Sequence, residues 1–130
     1  MVPVKSFMVP REKFVTIERD TDAQTAAQIM RDRGIGSLFV TNGKEIVGIL
    51  TDTDMVRRVV AAGVDTHKTT AEQIMSAPIV TIEEDKTVLD ANDLMAKTHI
   101  RHLGVTQGGK VVGMISVRDI VVFLTNLPRK

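Results

Sequence analysis

The sequence predicts a mixed α/β fold built from two β-α-β-β-α repeats that pack with pseudo-twofold symmetry. The stretch 48–54 recurs as 113–119, each copy reading glycine, an apolar pair, a hydroxyl residue, two variable positions and an aspartate. The similarity continues upstream without a gap, so that residues 15–18 match residues 80–83 at the same offset of 65. Self-similarity of this length in two copies indicates a duplicated supersecondary unit.

The first half, residues 1–65, opens with an irregular arm at 1–12 whose Phe7 and Met8 are expected to dock on the core. β-branched residues at 14–17 predict a strand, residues 20–22 supply helix-start chemistry, and 23–33 is rich in helix formers and ends at Gly34. Strands at 37–41 and 46–50 flank an Asn42-Gly43 hairpin turn. Thr51 then begins a helix that Gly63 ends.

The second half, residues 66–130, repeats this order after a linker at 64–70 and a helical turn at 71–75. Strands are predicted at 79–82, 103–106 and 111–115, with a turn at Gly108-Gly109, and helices at 88–97 and from Val117 onward. Residues 127–130 are expected to be a frayed tail. Halves of about 60 residues are marginal alone, so we expect them to pack on each other.

Composition bounds the class of protein. The chain has 130 residues, 17 basic and 16 acidic groups and no cysteine. A near-neutral balance gives no case for nucleic-acid binding, and the lack of cysteine excludes disulfides and cysteine-ligated metals. No secretory signal or apolar run long enough to span a bilayer is present, so no membrane insertion and a cytoplasmic location are expected.

The hydroxyl–x–x–aspartate motifs, Thr51 with Asp54 and Ser116 with Asp119, allow two compatible interpretations. One is an N-terminal capping box. The other is a ligand site, in which the hydroxyl and the helix N-terminus face an anion while the carboxylate accepts both hydroxyls of a ribose diol. Because glutamate would reach back to the cap better, aspartate in both copies favours binding.

The repeated element order and the glycine–apolar–hydroxyl–x–x–aspartate signature resemble a stand-alone tandem pair of CBS domains, a Bateman module, over nearly the whole chain. The resemblance implies two halves packed through their sheets, with ligand clefts between them. Family members commonly bind AMP, ADP, ATP or sometimes S-adenosylmethionine there and regulate an attached or partner protein. It assigns ligand-binding roles to Thr51, Asp54, Ser116 and Asp119.

The resemblance also places the first strand of each half in the pocket, where Thr16 and Thr81 could meet the ligand and Ile79 and Val80 could flank an adenine. By propensity alone, all four are ordinary strand residues. The segment Arg101-His102 resembles the basic stretch that the family sets at the nucleotide phosphates, although Gly104 stands where the family often has proline.

The two halves differ at this segment, because the first has Gly36-Ser37 where the second has Arg101-His102. Ser37 is expected to contact the ligand at the corresponding position. Arg118 adds a third basic group inside the second motif. An arginine fork suits phosphate, so the second half is expected to bind phosphate better. A solvated strand entry is the other interpretation of these charges, and Arg57 and Arg58 are interpreted as exposed helix charges.

The sequence therefore predicts a regulatory module that binds an adenine nucleotide, with no metal or further cofactor, and that acts on an unidentified enzyme or transporter. Two other classes stay open: a nucleotide hydrolase using Asp52, Asp54 and Asp119, and a structural interaction domain without ligand. The apolar closing helices predict a homodimer. In the last helix, Ile120, Phe123 and Leu124 form the core stripe while Val121 and Val122 point elsewhere.

Overall fold

The computed structural model of the chain describes residues 2–126, and the predicted tail lies outside them. The mixed α/β fold with two repeats of one element order is confirmed. The strands are β1 (Val9–Pro10), β2 (Thr16–Glu18), β3 (Ser37–Asn42), β4 (Glu45–Thr51), β5 (Thr81–Glu83), β6 (His102–Gln107) and β7 (Lys110–Ser116). The α-helices are α1 (Ala23–Arg33), α2 (Asp52–Asp54), α3 (Ala71–Ile74), α4 (Val88–Thr98) and α5 (Val117–Thr125).

The first-repeat unit comprises residues 14–79. Its three-stranded sheet has the order β2-β3-β4, with β2 parallel and β4 antiparallel to β3. β3 is the central strand, and its residues 38–41 are all buried, so both faces of this strand are covered and burial does not alternate along it. Helix α1 adds Ala23, Ala26 and Met30 to the core, and α3 adds Ala71 and Ile74.

The second-repeat unit comprises residues 2–13 together with 80–126. Its sheet has the order β1-β7-β6-β5, so the predicted arm supplies an additional strand, antiparallel to β7. Residue Val4 is fully buried in this core, and the predicted docking of Phe7 and Met8 is confirmed by their packing against it. The arm is therefore ordered structure and not an irregular extension.

The compact units divide the chain differently from the predicted halves at 1–65 and 66–130. The Val4 N–H donates to the Lys86 carbonyl at 2.7 Å, which attaches the arm to the second repeat. The Ala71 N–H donates to the Thr21 carbonyl at 2.7 Å, and Ile74 is buried in the first core. The segment before β2, residues 2–13, therefore completes the second repeat. The segment before β5, which contains α3, completes the first repeat.

The predicted helix from Thr51 to Gly63 has a mixed geometry. After α2 the backbone forms a π-helix, Met55–Val60, in which the Ala61 N–H donates to the Val56 carbonyl at 2.8 Å. Its counterpart α5 is α-helical throughout, as predicted. The core stripe of α5 differs in one residue, because Ile120 is buried and Phe123 partly buried, whereas Leu124 is 52% exposed.

Candidate functional site

Both motifs form complete capping boxes. Thr51 N–H and hydroxyl donate to Asp54 Oδ2 at 3.0 and 3.1 Å, and the Asp54 N–H returns a bond to the Thr51 hydroxyl at 3.2 Å. Ser116 and Asp119 repeat this pattern at 2.9, 2.9 and 3.2 Å. The capping interpretation is therefore confirmed, and in each motif one carboxylate oxygen is fixed by its own helix start.

A third box, between Thr87 and Asp90 at the start of α4, has the same contacts. The Thr87 backbone N–H, followed by its hydroxyl, holds the pKa of Asp90 below its usual value. Aspartate thus reaches the cap without difficulty, so the inference that aspartate in place of glutamate favours ligand binding was wrong. What distinguishes the two repeated motifs is the environment of the second carboxylate oxygen.

In the first repeat, that oxygen already has partners. Asp54 Oδ1 accepts a hydrogen bond from the Ser76 hydroxyl at 2.9 Å and lies 3.8 Å from the Arg58 Nε. Arg58 also donates to the Met75 carbonyl at 2.7 Å. Asp54 itself is buried, with 6% of its surface exposed. Arg58 is half-exposed but ordered by these two contacts, so it is more than the exposed helix charge that the sequence predicted.

In the second repeat, the corresponding oxygen is available. Asp119 is half-buried, and within residues 2–126 its Oδ1 has no hydrogen-bond partner or ion pair. The residue one turn further along α5 is Phe123, whose ring stacks on Phe7 with centroids 4.8 Å apart. An aromatic ring offers no donor to a carboxylate oxygen. The Asp119 carboxylate is therefore oriented by the cap on one side and open on the other.

The structure also groups the basic residues of the second repeat around Ser116. His102 is the register partner of Ser116 across β6 and β7, and the Arg101 carbonyl accepts the Val117 N–H at 3.0 Å. Arg118, exposed, occupies the second position of α5. The backbone therefore places all five of these residues at one end of the β6–β7 hairpin: Arg101, His102, Ser116, Arg118 and Asp119.

The remaining predicted residues lie on the first strands and on β3. Thr16 and Thr81 begin β2 and β5 and are exposed, and Val80 is 36% exposed. Ile79, half-buried, ends the first-repeat unit. Ser37 of β3 pairs with Thr51 of β4. It therefore has the same place in the first repeat as His102, the partner of Ser116, has in the second.

Gly104 has a structural explanation. Its N–H donates to the Val80 carbonyl at 3.0 Å, a bond that the proline common in the family could not make. The Phe39 N–H makes the corresponding bond to Val15 in the first repeat, at 3.1 Å.

Two residues that shape these sites, Ser76 and Val9, were not named from the sequence. Two others were named for different roles, Phe123 for the core stripe of α5 and Arg58 as an exposed helix charge. The sequence contained a signal for Val9 and Ser76. The segments that precede the first strand of each repeat both have a methionine after an apolar residue, in Phe7-Met8-Val9 and in Ile74-Met75-Ser76. Aligning these segments would have paired Val9 with Ser76.

Within residues 2–126, no helix is long and apolar enough to cross a membrane. The same residues hold no cluster of three or more potential metal ligands.

The fold and the two capped motifs define a tandem-repeat α/β protein with one candidate ligand site per repeat. The family model for the CBS domain matches the chain twice, at residues 4–61 and 71–126. The chain therefore belongs to the CBS-domain family, which confirms the resemblance deduced from the sequence.

Relatives and solved structures agree with this assignment. An uncharacterized protein of Methanopyrus kandleri is 37% identical over 115 residues, which are 87% of this chain but 59% of that protein. A CBS-domain protein of Burkholderia ambifaria superimposes with a TM-score of 0.82 at 31% identity, covering 91% of this chain and 88% of its own. The hexameric CBS-CP12 protein of bloom-forming cyanobacteria gives 0.82 at 30% identity, covering 99% and 76%. CBSX2, solved in complex with AMP, shares the fold at 19% identity, with a TM-score of 0.81 over 99% and 100%.

Proposed function

We propose that the chain is a regulatory module that binds an adenine nucleotide, AMP, ADP or ATP, or a related adenosyl ligand such as S-adenosylmethionine. The observation that carries this proposal is the Asp119 carboxylate, whose Oδ2 is held by Ser116 while its Oδ1 is open. The membership of the CBS family and the AMP complex of the structural neighbour CBSX2 support it. A tandem CBS pair of this kind is regulatory and not catalytic in its general role.

The chemistry of the site suits a nucleotide. A carboxylate oxygen has two lone pairs that can accept hydrogen bonds, and Asp119 Oδ1 has no hydrogen-bond partner within residues 2–126, so it can accept from a ribose diol. The helix dipole favours an anion near the N-terminus of α5, where the Ser116 hydroxyl donates its own proton to Asp119. The charges of Arg101, His102 and Arg118 would favour phosphate. In this proposal Val80 and Thr81 of the second-repeat unit contact the base or sugar.

A thermal-shift panel with AMP, ADP, ATP, S-adenosylmethionine and NAD tests the proposal directly. A ligand that binds the folded state alone stabilises it by about 2.7 kcal/mol at a hundredfold excess over Kd, so Tm should rise with ligand concentration. GMP serves as the matched control for recognition of adenine. If none of the adenosyl compounds raises Tm at millimolar concentration, the structural interaction domain replaces this function. Steady release of phosphate from ATP would instead indicate the hydrolase.

We also propose that the module assembles as a homodimer through its closing helices. Val56 and Val60 on the π-helix are 61% and 76% exposed, and Val121 and Val122 on α5 are 51% and 48% exposed. Such apolar surface on equivalent helices of both repeats is typical of an interface. Oligomeric CBS proteins are known, because the structural neighbour CBS-CP12 is a hexamer. The regulated enzyme or transporter and the cytoplasmic location stay predictions from the sequence.

A further inference from the structure

We infer that the chain binds one nucleotide and not two: the second motif, at Asp119, takes the ligand, and the first is closed by the chain's own Ser76 and Arg58. This inference rests on the proposed function and adds to it which motif is used and why. It depends on structurally equivalent positions at which the two repeats have different residues.

Val9 and Ser76 occupy the same position in their units. Ser76 pairs with Ile49 of β4, and Val9 pairs with Met114 of β7, which is the counterpart of Ile49 in the repeat. A Cβ at Gly48 would lie 3.1 Å from the Ser76 carbonyl oxygen, and a Cβ at Gly113 would lie 3.0 Å from that of Val9. The two segments therefore approach their strands equally closely, and they differ in the side chain that they present.

This difference in side chain determines whether the second oxygen of the motif's carboxylate has a hydrogen-bond donor. Ser76 donates its hydroxyl to Asp54 Oδ1, whereas the valine at the same position has no donor for Asp119. Arg58, four residues after Asp54, adds a cation at 3.8 Å, whereas Phe123 at the matching position stacks on Phe7. With the cap included, Asp54 has four polar neighbours, about as many as a carboxylate has lone-pair sites.

Closing the first motif also has an energetic basis. A diol that bound Asp54 would have to displace the Ser76 hydroxyl and leave it without its acceptor in a partly buried position. A buried polar group that loses its partner carries a desolvation penalty. Asp119 requires no such exchange, because a ligand hydroxyl adds a bond to an oxygen that has none within residues 2–126.

The charges around the two helix starts point the same way. The first residue of α2 is Asp52, whose N–H donates to the Gly36 carbonyl at 2.9 Å. The equivalent bond in the second repeat joins Val117 to Arg101 at 3.0 Å. A carboxylate and a glycine thus stand where the second repeat has a valine and an arginine. The Asp52 carboxylate repels a phosphate and the Arg101 guanidinium attracts one. The cation of the first motif, Arg58, is engaged with Asp54 and with the Met75 carbonyl.

Calorimetric titration of the full chain with AMP measures the number of sites directly. We expect one nucleotide per chain, with binding reduced at least tenfold in Asp119→Asn, because the amide keeps an oxygen for the cap but presents a donor to the diol. Two equivalent sites per chain, or unchanged binding by Asp119→Asn, would overturn the inference and leave the proposed function standing. No binding of AMP or any other adenosyl ligand by the unmodified chain would contradict the proposed function itself.

A swap of the closing residue provides an independent test. Val9→Ser introduces beside Asp119 the hydroxyl that closes Asp54, and we expect AMP affinity to fall about tenfold relative to Val9→Ala. Val9→Ala is the matched control, since it removes similar bulk without adding a donor. Equal affinity of these two variants would show that the open oxygen of Asp119 does not contact the ligand.

Ser76→Ala completes the comparison, because it alters the first motif alone. We expect the existing AMP site to keep its affinity. A tighter single site in Ser76→Ala would place the bound nucleotide at Asp54 and refute the inference. A second, weaker site appearing beside an unchanged first one would support it.

Discussion

Aspartate residues at helix starts perform two different tasks in this protein. In the three capping boxes that use aspartate, one carboxylate oxygen accepts the N–H and hydroxyl of the cap residue. The other oxygen is satisfied internally at Asp54 and open at Asp119 within the described residues. A capping contact stabilises the fold and also fixes the carboxylate in one orientation. In the proposed function, the bond that caps α5 therefore also orients Asp119 toward the ligand.

Asp119→Ala should separate these tasks. We expect AMP affinity to decrease by about 1.5–3 kcal/mol, the range for hydrogen bonds to a charged group. The free energy of unfolding should decrease by only about 1 kcal/mol, a typical capping contribution. Calorimetry and chemical denaturation measure the two quantities. Thr87→Ala is the matched control, because it removes the cap of α4 and Thr87 is not among the proposed ligand residues. Unchanged affinity together with reduced stability would leave capping as the whole role of Asp119.

Arg101→Ala tests the proposed phosphate contacts. We expect this variant to weaken AMP binding more than adenosine binding, since its charge can act on phosphate alone. The difference should shrink at high salt, because charge interactions of exposed groups are screened over about 10 Å at 0.1 M ionic strength. Arg31→Ala, in the exposed last turn of α1, is the control. An equal loss for both ligands would exclude Arg101 from the phosphate.

At the scale of elements, the two long helices end in the same way with different residues. Helix α1 ends at Gly34 with φ of 62°, and α4 ends at His99 with φ of 57°. The left-handed region disfavours a side chain with a Cβ but not glycine. His99→Gly should therefore raise the free energy of unfolding by about 0.5–1 kcal/mol, measured by thermal or urea denaturation. Gly34→Ala should lower it by a similar amount. A destabilised His99→Gly would mean that the His99 side chain makes a compensating contribution.

The exposed faces of the closing helices carry the prediction of a dimer. Val122→Glu should shift the protein toward monomer, because it places a charge in an apolar interface, and light scattering at tens of micromolar measures the shift. In the first repeat, Val60→Glu is the appropriate variant. Met55 of the π-helix is unsuitable for this test, because it packs against the first core and its replacement would affect folding. A monomer of the unmodified chain, with and without nucleotide, would contradict the prediction.

At the scale of the whole chain, each repeat depends on a segment that is distant in sequence. Val4 is completely buried against residues of the second repeat, and its N–H reaches Lys86. Val4→Ala should therefore lower the free energy of unfolding by about 2 kcal/mol, from two lost methylene equivalents and the cavity left behind. Urea denaturation measures this loss. The control is Val2→Ala, whose residue is partly exposed. No loss in Val4→Ala would show that the arm contributes little to folding.

Much of this architecture was predictable because it is encoded locally. Hairpin glycines, the Asp22 cap and the Gly34 stop each act within a few residues, and all lie where predicted. Strand boundaries shifted by one or two residues, since the ladder partner decides where pairing ends. The π-helix after Asp54 was not predicted, because its apolar pattern does not distinguish i+5 from i+4 hydrogen bonding.

The sequence by itself determined the duplication, the order of elements, the capped hydroxyl–aspartate motifs and the CBS family. These follow from spacing and residue type along the chain, which a repeat displays twice. Only the tertiary structure decided which carboxylate is open, because that depends on contacts between residues far apart in sequence. Ser76 closes Asp54 from 22 positions away, and Val9 reaches the second repeat by pairing with Met114. Local sequence patterns do not encode such contacts; packing of the chain creates them.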